Sequence, residues 1–166
     1  VFHGSENTAL GWVLMTLIKY REEKMLFAPD VQGPMCKETL ELILEAKPQL
    51  LIIGGPPIYL ADFRVRKEHV EAGIKNLEVL ASEIPNIILE HHLLRDENWK
   101  NHVKNVFKIA KEKNHKIFTA AEFAGKENMF LEAVRDKLYE RYPPSREFEK
   151  WSKVPLKKRK LTQPPI

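Results

Sequence analysis

Apolar residues recur along the chain in two different periods, and the two alternate. Leu10 to Tyr20 (LGWVLMTLIKY) is rich in β-branched and aromatic residues and predicts one long strand. Arg21-Glu22-Glu23-Lys24 reads as a polar turn and Met25 to Ala28 as a second strand, so the two should form a hairpin. Lys37 to Ala46 sets Leu40, Ile43 and Leu44 at helical spacing, and Pro48 stops that helix. Leu50 to Ile53 is a short apolar strand running into Gly54-Gly55-Pro56-Pro57. Arg66 to Glu83 predicts an amphipathic helix with Val70, Ile74, Leu77 and Leu80 or Ala81 inward, and Ile87 to Leu89 a buried strand ending in Glu90-His91-His92. Glu97 to Lys113 reads as a helix through Val103, Val106, Phe107 and Ala110, and Lys116 to Thr119 as a last strand. Glu122 to Tyr142 predicts a final helix with Phe130, Val134 and Leu138 on its buried side. Short apolar strands alternating with helices predict an α/β fold, helices packed on a sheet. There is no internal repeat and no low-complexity tract.

Composition agrees with a globular domain: of 166 residues, 43% are hydrophobic and 30% charged, which sets disorder aside. No apolar run approaches the roughly 18 residues needed to cross a bilayer, so no membrane partner is expected. A single cysteine, Cys36, excludes an internal disulfide and suits a cytoplasmic setting. The charge is unevenly placed. From Ser145 onward seven basic residues face two acidic ones, more than the whole chain's net +4, so the rest is close to neutral. Pro143-Pro144 ends the globular part, giving a domain over 1–143 and a basic, proline-containing tail over 144–166. Lys157-Lys158-Arg159-Lys160 reads first as a solvated, mobile terminus, with contact to nucleic acid or another acidic surface as the alternative. The chain opens on Val1 within what reads as a strand ending at His3, and further sequence is expected upstream.

In α/β folds chemistry collects at the carboxyl ends of the strands. Three strand ends here each deliver a metal-ligand type: His3, Asp30 after LFA and Pro29, and His91-His92 after IILE. Imidazole and carboxylate are donors that zinc, iron and manganese accept. One such residue would be an ordinary turn former or polar residue; three at strand exits point to a metal site.

A strand ending in a glycine-flanked His, one ending in Asp before a Gly turn and a later one ending in His resemble the third, fourth and fifth metal motifs of the metallo-β-lactamase fold. FAPDVQGP (Phe27 to Pro34), LLIIGGPPIYL (Leu50 to Leu60), IILEHHLLRD (Ile87 to Asp96) and TAAEFAGKENMFLEA (Thr119 to Ala133) resemble more closely a mainly archaeal branch of that superfamily, whose members are described as predicted metal-dependent hydrolases. The likeness spans nearly all of Val1 to Tyr142 and leaves out the tail.

The resemblance implies that the chain is the C-terminal βα half of an αββα sandwich. The superfamily's His-x-His-x-Asp-His motif does not occur in this sequence. An N-terminal half of the same protein is therefore the expected partner that completes the metal site, and this segment alone is expected to be inactive. By the resemblance His3, Asp30 and His91 are metal ligands for one or two divalent ions, zinc first and iron or manganese as alternatives. Asp30 is the bridging carboxylate, and His92, the alternative ligand, is catalytic. Strand alternation implies that the two histidines cannot both point inward from a regular strand. The ions would lower the pKa of a bound water to about 7, giving a hydroxide nucleophile. His92 and Arg95 would then stabilise an oxyanion or hold an anionic substrate, a small molecule or phosphoester. Arg95 is otherwise an ion-pair partner of Asp96 or Glu97, and Asp96 reads as the N-cap of the following helix. Gly54 to Pro57 either approaches the site or forms a tight turn, and Gln32 and Gly33 either line the pocket or serve the turn. Cys36 reads as a small residue near a helix start, and His69, His102 and His115 as solvent-facing. Two other classes stand beside the hydrolase: a nucleic-acid-processing or nucleic-acid-binding member using the basic tail, and a non-catalytic scaffold. The large apolar residues of the first strand, Trp12, Leu14 and Leu17 among them, must be covered by the other half or by self-association into a homo-oligomer.

Overall fold

A computed structural model describes residues 1–165. The chain forms two units, Val1–Ala133 and the residues from Val134 onward, a division that falls ahead of the boundary expected at residue 143. In the first unit the elements are β1 (Thr16–Tyr20), β2 (Glu23–Ala28), α1 (Lys37–Ala46), β3 (Leu50–Gly54), α2 (Lys67–Glu83), β4 (Asn86–Glu90), α3 (Trp99–His102), α4 (Lys104–Glu112), β5 (Lys116–Thr119) and α5 (Ala120–Phe123). Short 3₁₀ turns lie at Ile58–Leu60 and Leu93–Arg95.

The architecture is α/β. Five strands form one mixed sheet in sequence order, with β1 antiparallel to β2 and β2 to β5 parallel. The register explains why the strands read as apolar without clean alternation. Directly paired residues share a face. One row runs Leu17, Leu26, Leu51, Ile87, Ile117 and the next Ala28, Ile53, Leu89, Thr119. From these rows Leu26, Ala28, Leu51, Ile53, Ile87 and Leu89 join one core cluster with Leu40 and Ile43 of α1, Leu77 and Leu80 of α2, and Val106 and Ala110 of α4. All three parallel crossovers therefore cover the same face. The opposite face carries the row Thr16, Phe27, Ile52, Ile88, Phe118, and beside it Ile18, Met25 and Leu50, none of which belongs to that cluster. Ile18 is 50% exposed, Phe27 38% and, at the end of α5, Phe123 53%.

Three elements differ from the sequence expectation. The strand predicted over Leu10 to Tyr20 shortens to Thr16–Tyr20, because its partner β2 ends at Ala28, where Pro29 offers no N–H to continue the ladder. Upstream, Trp12 forms only an isolated bridge with Phe2. The helix predicted over Glu97 to Lys113 is interrupted at buried Val103 (φ −116°, ψ 24°), separating α3 from α4. The helix predicted from Glu122 to Tyr142 does not form as one piece. α5 ends at Phe123, Gly125 turns the chain at φ +67°, and Asn128 reaches back to accept from the Thr119 hydroxyl (2.6 Å) and donate to Glu122 (3.1 Å). Thr119 and Glu122 also form a capping box on α5, with Lys100 3.5 Å from Glu122, so this polar stretch closes the carboxyl end of β5.

In the second unit α6 (Arg135–Arg141), α7 (Arg146–Ser152) and α8 (Leu156–Arg159) occupy much of the expected tail. Ser145 caps α7, accepting from the Phe148 N–H at 3.1 Å. Trp151 donates to the Thr162 hydroxyl (3.0 Å) and lies beneath the Arg159 guanidinium (5.6 Å). No helix among the described residues is long and apolar enough to cross a membrane.

The contact between α2 and the loop after β2 depends on missing side chains. A Cβ on Gly73 would stand 2.6 Å from the Gln32 carbonyl oxygen, and one on Gly33 2.8 Å from the Gly73 backbone. Neither obstacle is a flexible side-chain end, so the backbone itself must move. Gly73→Ala is expected to destabilise the fold by about 1–3 kcal/mol, the usual range for overpacking. Gly125→Ala, where no atom lies within 4 Å and only a positive φ is strained, should cost less. Thermal melting of the two variants checks the order; equal losses would contradict the steric account.

Candidate functional site

Because β2 to β5 are parallel, their carboxyl ends open on one edge, and each hands over to a loop there. At the end of β2 the chain turns through Asp30 (φ 55°) and Gln32 (φ 59°), both in the left-handed region that asparagine and aspartate tolerate better than most residues. Neighbouring backbone holds this turn. The Gly33 N–H donates to the Gly54 carbonyl at 2.9 Å, and a Cβ on Gly54 would lie 2.9 Å from the Asp30 nitrogen and 3.5 Å from the His91 ring. Gly54 thus approaches the site, one of the two readings its sequence left open. Gln32 is buried, and its side-chain oxygen fills the space that a Cβ on Gly4, next to His3, would occupy.

Three imidazoles converge on one oxygen of Asp30. His91 Nε2 lies 3.0 Å from Asp30 Oδ1, His92 Nε2 3.2 Å and His3 Nε2 3.8 Å. His3 is not at the end of a regular strand. It sits on an arm held by its N–H to the Gly11 carbonyl (3.0 Å) and by the stacked rings of Phe2 and Trp12, 4.3 Å apart. The expectation that only one of His91 and His92 points inward is corrected here. β4 ends at Glu90, so both histidines lie in the following turn, where strand alternation no longer applies, with ring centres 4.1 Å apart. Nitrogen and oxygen atoms of His3, Asp30 and His92 lie within 4.8 Å of one another.

The environment separates these groups electrostatically. Burial alone would raise the Asp30 carboxyl, but the charge and hydrogen bond of His91, then His3 and His92, hold it below its ordinary value. His91 is raised, first by its hydrogen bond to Glu90 and against the effect of burial, with the charges of Glu90 and Asp30 adding; Glu90 Oε1 lies 3.2 Å from its Nδ1. His92 is pushed down to about 4 by burial, then by the charges of His91 and Arg95. Its Nδ1 is buried without a hydrogen-bond partner.

Around this cluster the expected roles divide. Arg95 donates from Nη1 to the Tyr59 hydroxyl at 2.8 Å, and its Nε lies 3.9 Å from Glu132. Asp96 accepts from the Asn98 N–H (2.6 Å), a turn just ahead of α3, which begins later than expected at Trp99. Cys36 is buried at the start of α1. His69 pairs with Arg66, His102 is exposed, and His115 is not solvent-facing but half-buried against the Ala81 carbonyl (2.9 Å). Sequence reasoning passed over Tyr59, Glu90 and Glu132. Glu90 and Tyr59 stand beside noted residues, yet no spacing rule connects Tyr59 or Glu132 to Arg95, since 36 and 37 residues separate them.

The chain is similar to archaeal UPF0282 proteins. It is 46% identical over 136 residues to one from Methanopyrus kandleri, covering 82% of this chain and 45% of that protein. It is 40% identical over 144 residues to one from Aeropyrum pernix (84% and 49%) and 35% identical over 143 residues to one from Korarchaeum cryptofilum (86% and 48%). The chain thus spans about half the length of these relatives. No family model and no solved structure matches it.

Proposed function

We propose that the intact protein is a metal-dependent hydrolase whose metal site combines His3, Asp30 and His92 with ligands from polypeptide outside this chain. The observation that carries this reading is the approach of three imidazoles to a single carboxylate oxygen at the sheet edge where parallel α/β folds place their chemistry. The donor set suits zinc, iron or manganese. An ionised Asp30 and a His92 that stays neutral above a pH of about 4 are both in the protonation state a ligand requires. A divalent ion held there supplies Lewis acidity and brings the pKa of a water on it to about 7.

The chain's own residues then divide the work. Asp30 neutralises positive charge and fixes the spacing of the imidazoles. His91 is the proton carrier: Glu90 faces its Nδ1 and Asp30 its Nε2, so the protonated ring is held between two carboxylates. This exchanges the roles of His91 and His92 that the family resemblance implied. The fold reading belongs to the same proposal. The chain is the second βα half of an αββα sandwich, and the open face bearing Ile18, Phe27, Ile52 and Phe118 is covered by the other half. The resemblance of four separate stretches to the metallo-β-lactamase superfamily and the twofold greater length of the relatives both support it.

Two predictions follow from the role assignment. In the metal-free protein, imidazole titration by NMR should find His92 neutral down to about pH 4 and His91 protonating above its ordinary value. Glu90→Gln should lower the His91 value more than Asp30→Asn does, since the Glu90 hydrogen bond is the largest contribution. A His92 that protonates before His91 as the pH falls would reverse the assignment. In the full-length protein, Asp30→Ala should remove bound metal and cut hydrolytic activity by more than the roughly 10–100-fold typical of groups behind the ligands. Elemental analysis and turnover of phosphodiester and ester substrates decide this; full metal content and activity in Asp30→Ala would end the reading.

A further inference from the structure

Arg95 is the third residue after His92, and its N–H donates to the His92 carbonyl at 3.3 Å across a 3₁₀ turn. In that geometry residues i and i+3 project from the same side, so Arg95 stands beside His92 while Leu93 between them is fully buried. Tyr59 arrives from another loop, the turn after β3. Its hydroxyl accepts from Arg95 Nη1 at 2.8 Å, and the guanidinium carbon lies 5.8 Å from the centre of its ring. Glu132 lies 3.9 Å from Nε, beyond hydrogen-bond distance; its side chain is 50% exposed, so solvent screens its charge. The guanidinium is thus held at Nη1 by Tyr59, while its Nε is buried without a hydrogen-bond partner and the side chain remains 34% exposed.

We propose that Arg95 and Tyr59 form the subsite that binds an anionic oxygen group of the substrate, a phosphate ester or a carboxylate, beside the His3–Asp30–His92 cluster. This rests on the hydrolase reading above and adds the substrate class. Arginine carries five N–H donors in a planar fork, and the Tyr59 hydroxyl, while accepting from Arg95, still has its own proton to donate. An anion entering this edge meets the carboxylates of Asp30 and Glu90, and Arg95 supplies the opposing charge. A neutral substrate would need none of this, and a purely structural tie between the two turns would not need the half-open fork.

The test uses the full-length protein with its metal content measured, titrated calorimetrically with sodium phosphate and, separately, with sodium acetate. Arg95→Gln should weaken binding of the preferred anion by about tenfold or more, the usual effect of losing a hydrogen bond to a charged group. Arg95→Lys should fall between, keeping the charge and losing the fork. Tyr59→Phe should weaken binding by about threefold or more with little change in melting temperature. Stronger binding of phosphate marks the substrate as a phosphate ester, and of acetate as a carboxylate. If Arg95→Gln does not fold, Tyr59→Phe decides. A folded variant that binds both anions within about twofold of the parent overturns the subsite, as does a parent that binds neither at millimolar concentration. Metal content on the same samples separates the two ideas. A protein without metal that still loses anion affinity in Arg95→Gln overturns the hydrolase reading alone, and a metal-loaded one with unchanged affinity overturns the subsite alone.

Discussion

The site depends on how closely two stretches of backbone approach the turn that carries Asp30 and Gly33. Gly54 at the end of β3, Gly33 in the turn and Gly73 on α2 each leave room that a single methyl group would fill. The hydrogen bond from Gly33 to Gly54 fastens the turn to the sheet, and the Gly33–Gly73 contact presses α2 onto it from the side. Asp30 can hold a left-handed conformation because its surroundings over-determine it, a pattern common where a carboxylate must be aimed. A displaced Asp30 would lose all three imidazoles at once, since each approaches the same oxygen.

That shared oxygen also orders the electrostatics. One partly buried carboxylate cannot satisfy three histidines equally. The environment separates them, with His91 between Asp30 and Glu90 favouring its proton and His92 resisting one. His92 keeps a buried Nδ1 without a partner. Buried polar atoms are normally satisfied, and Glu90 Oε1, 3.2 Å from His91 Nδ1, shares the lack of a well-aligned hydrogen-bond partner. The same turn then presents Arg95 three residues on, so one short connection after β4 carries a proton carrier, a ligand and an anion-binding group in the arrangement proposed here.

Much of this was legible from the chain alone, for identifiable reasons. α1, β3, α2, β4 and β5 follow from apolar spacing because each packs against one continuous core, so burial and period agree. Asp30 and the His91-His92 pair could be placed together because parallel strands bring their carboxyl ends to one edge, whereas His3 reaches them on an arm outside any regular strand. What failed did so where tertiary contacts overrule local pattern. Thr119, Glu122 and Asn128 form a polar knot that turns a plausible long helix into a cap and a loop. Strand alternation misjudged His91 and His92 because the ladder stops one residue before them. Tyr59 was invisible for a different reason: its role rests on meeting Arg95 from another loop, and no local signal marks such a pairing.

Two features of the first unit bear on the proposed second half. Its sheet is buried by helices on one face and bears Phe27, Ile52 and Phe118 on the other. Among the described residues His3, Asp30 and His92 bring three donor-type side chains together, and in the proposed site a closed zinc centre, which takes four, would draw a further donor from elsewhere. Both lie on a sheet whose parallel strands end beside the cluster. A second sheet packed on the open face would therefore bring its own loops toward the same edge, where they can complete the ligand set. In the proposed assembly burial and coordination would share a cause: the apolar row that would hold the halves together would also set how precisely donors from one half meet Asp30 of the other. On this reading the site is assembled by the hydrophobic contact between layers, and the stability of that contact limits the affinity for metal.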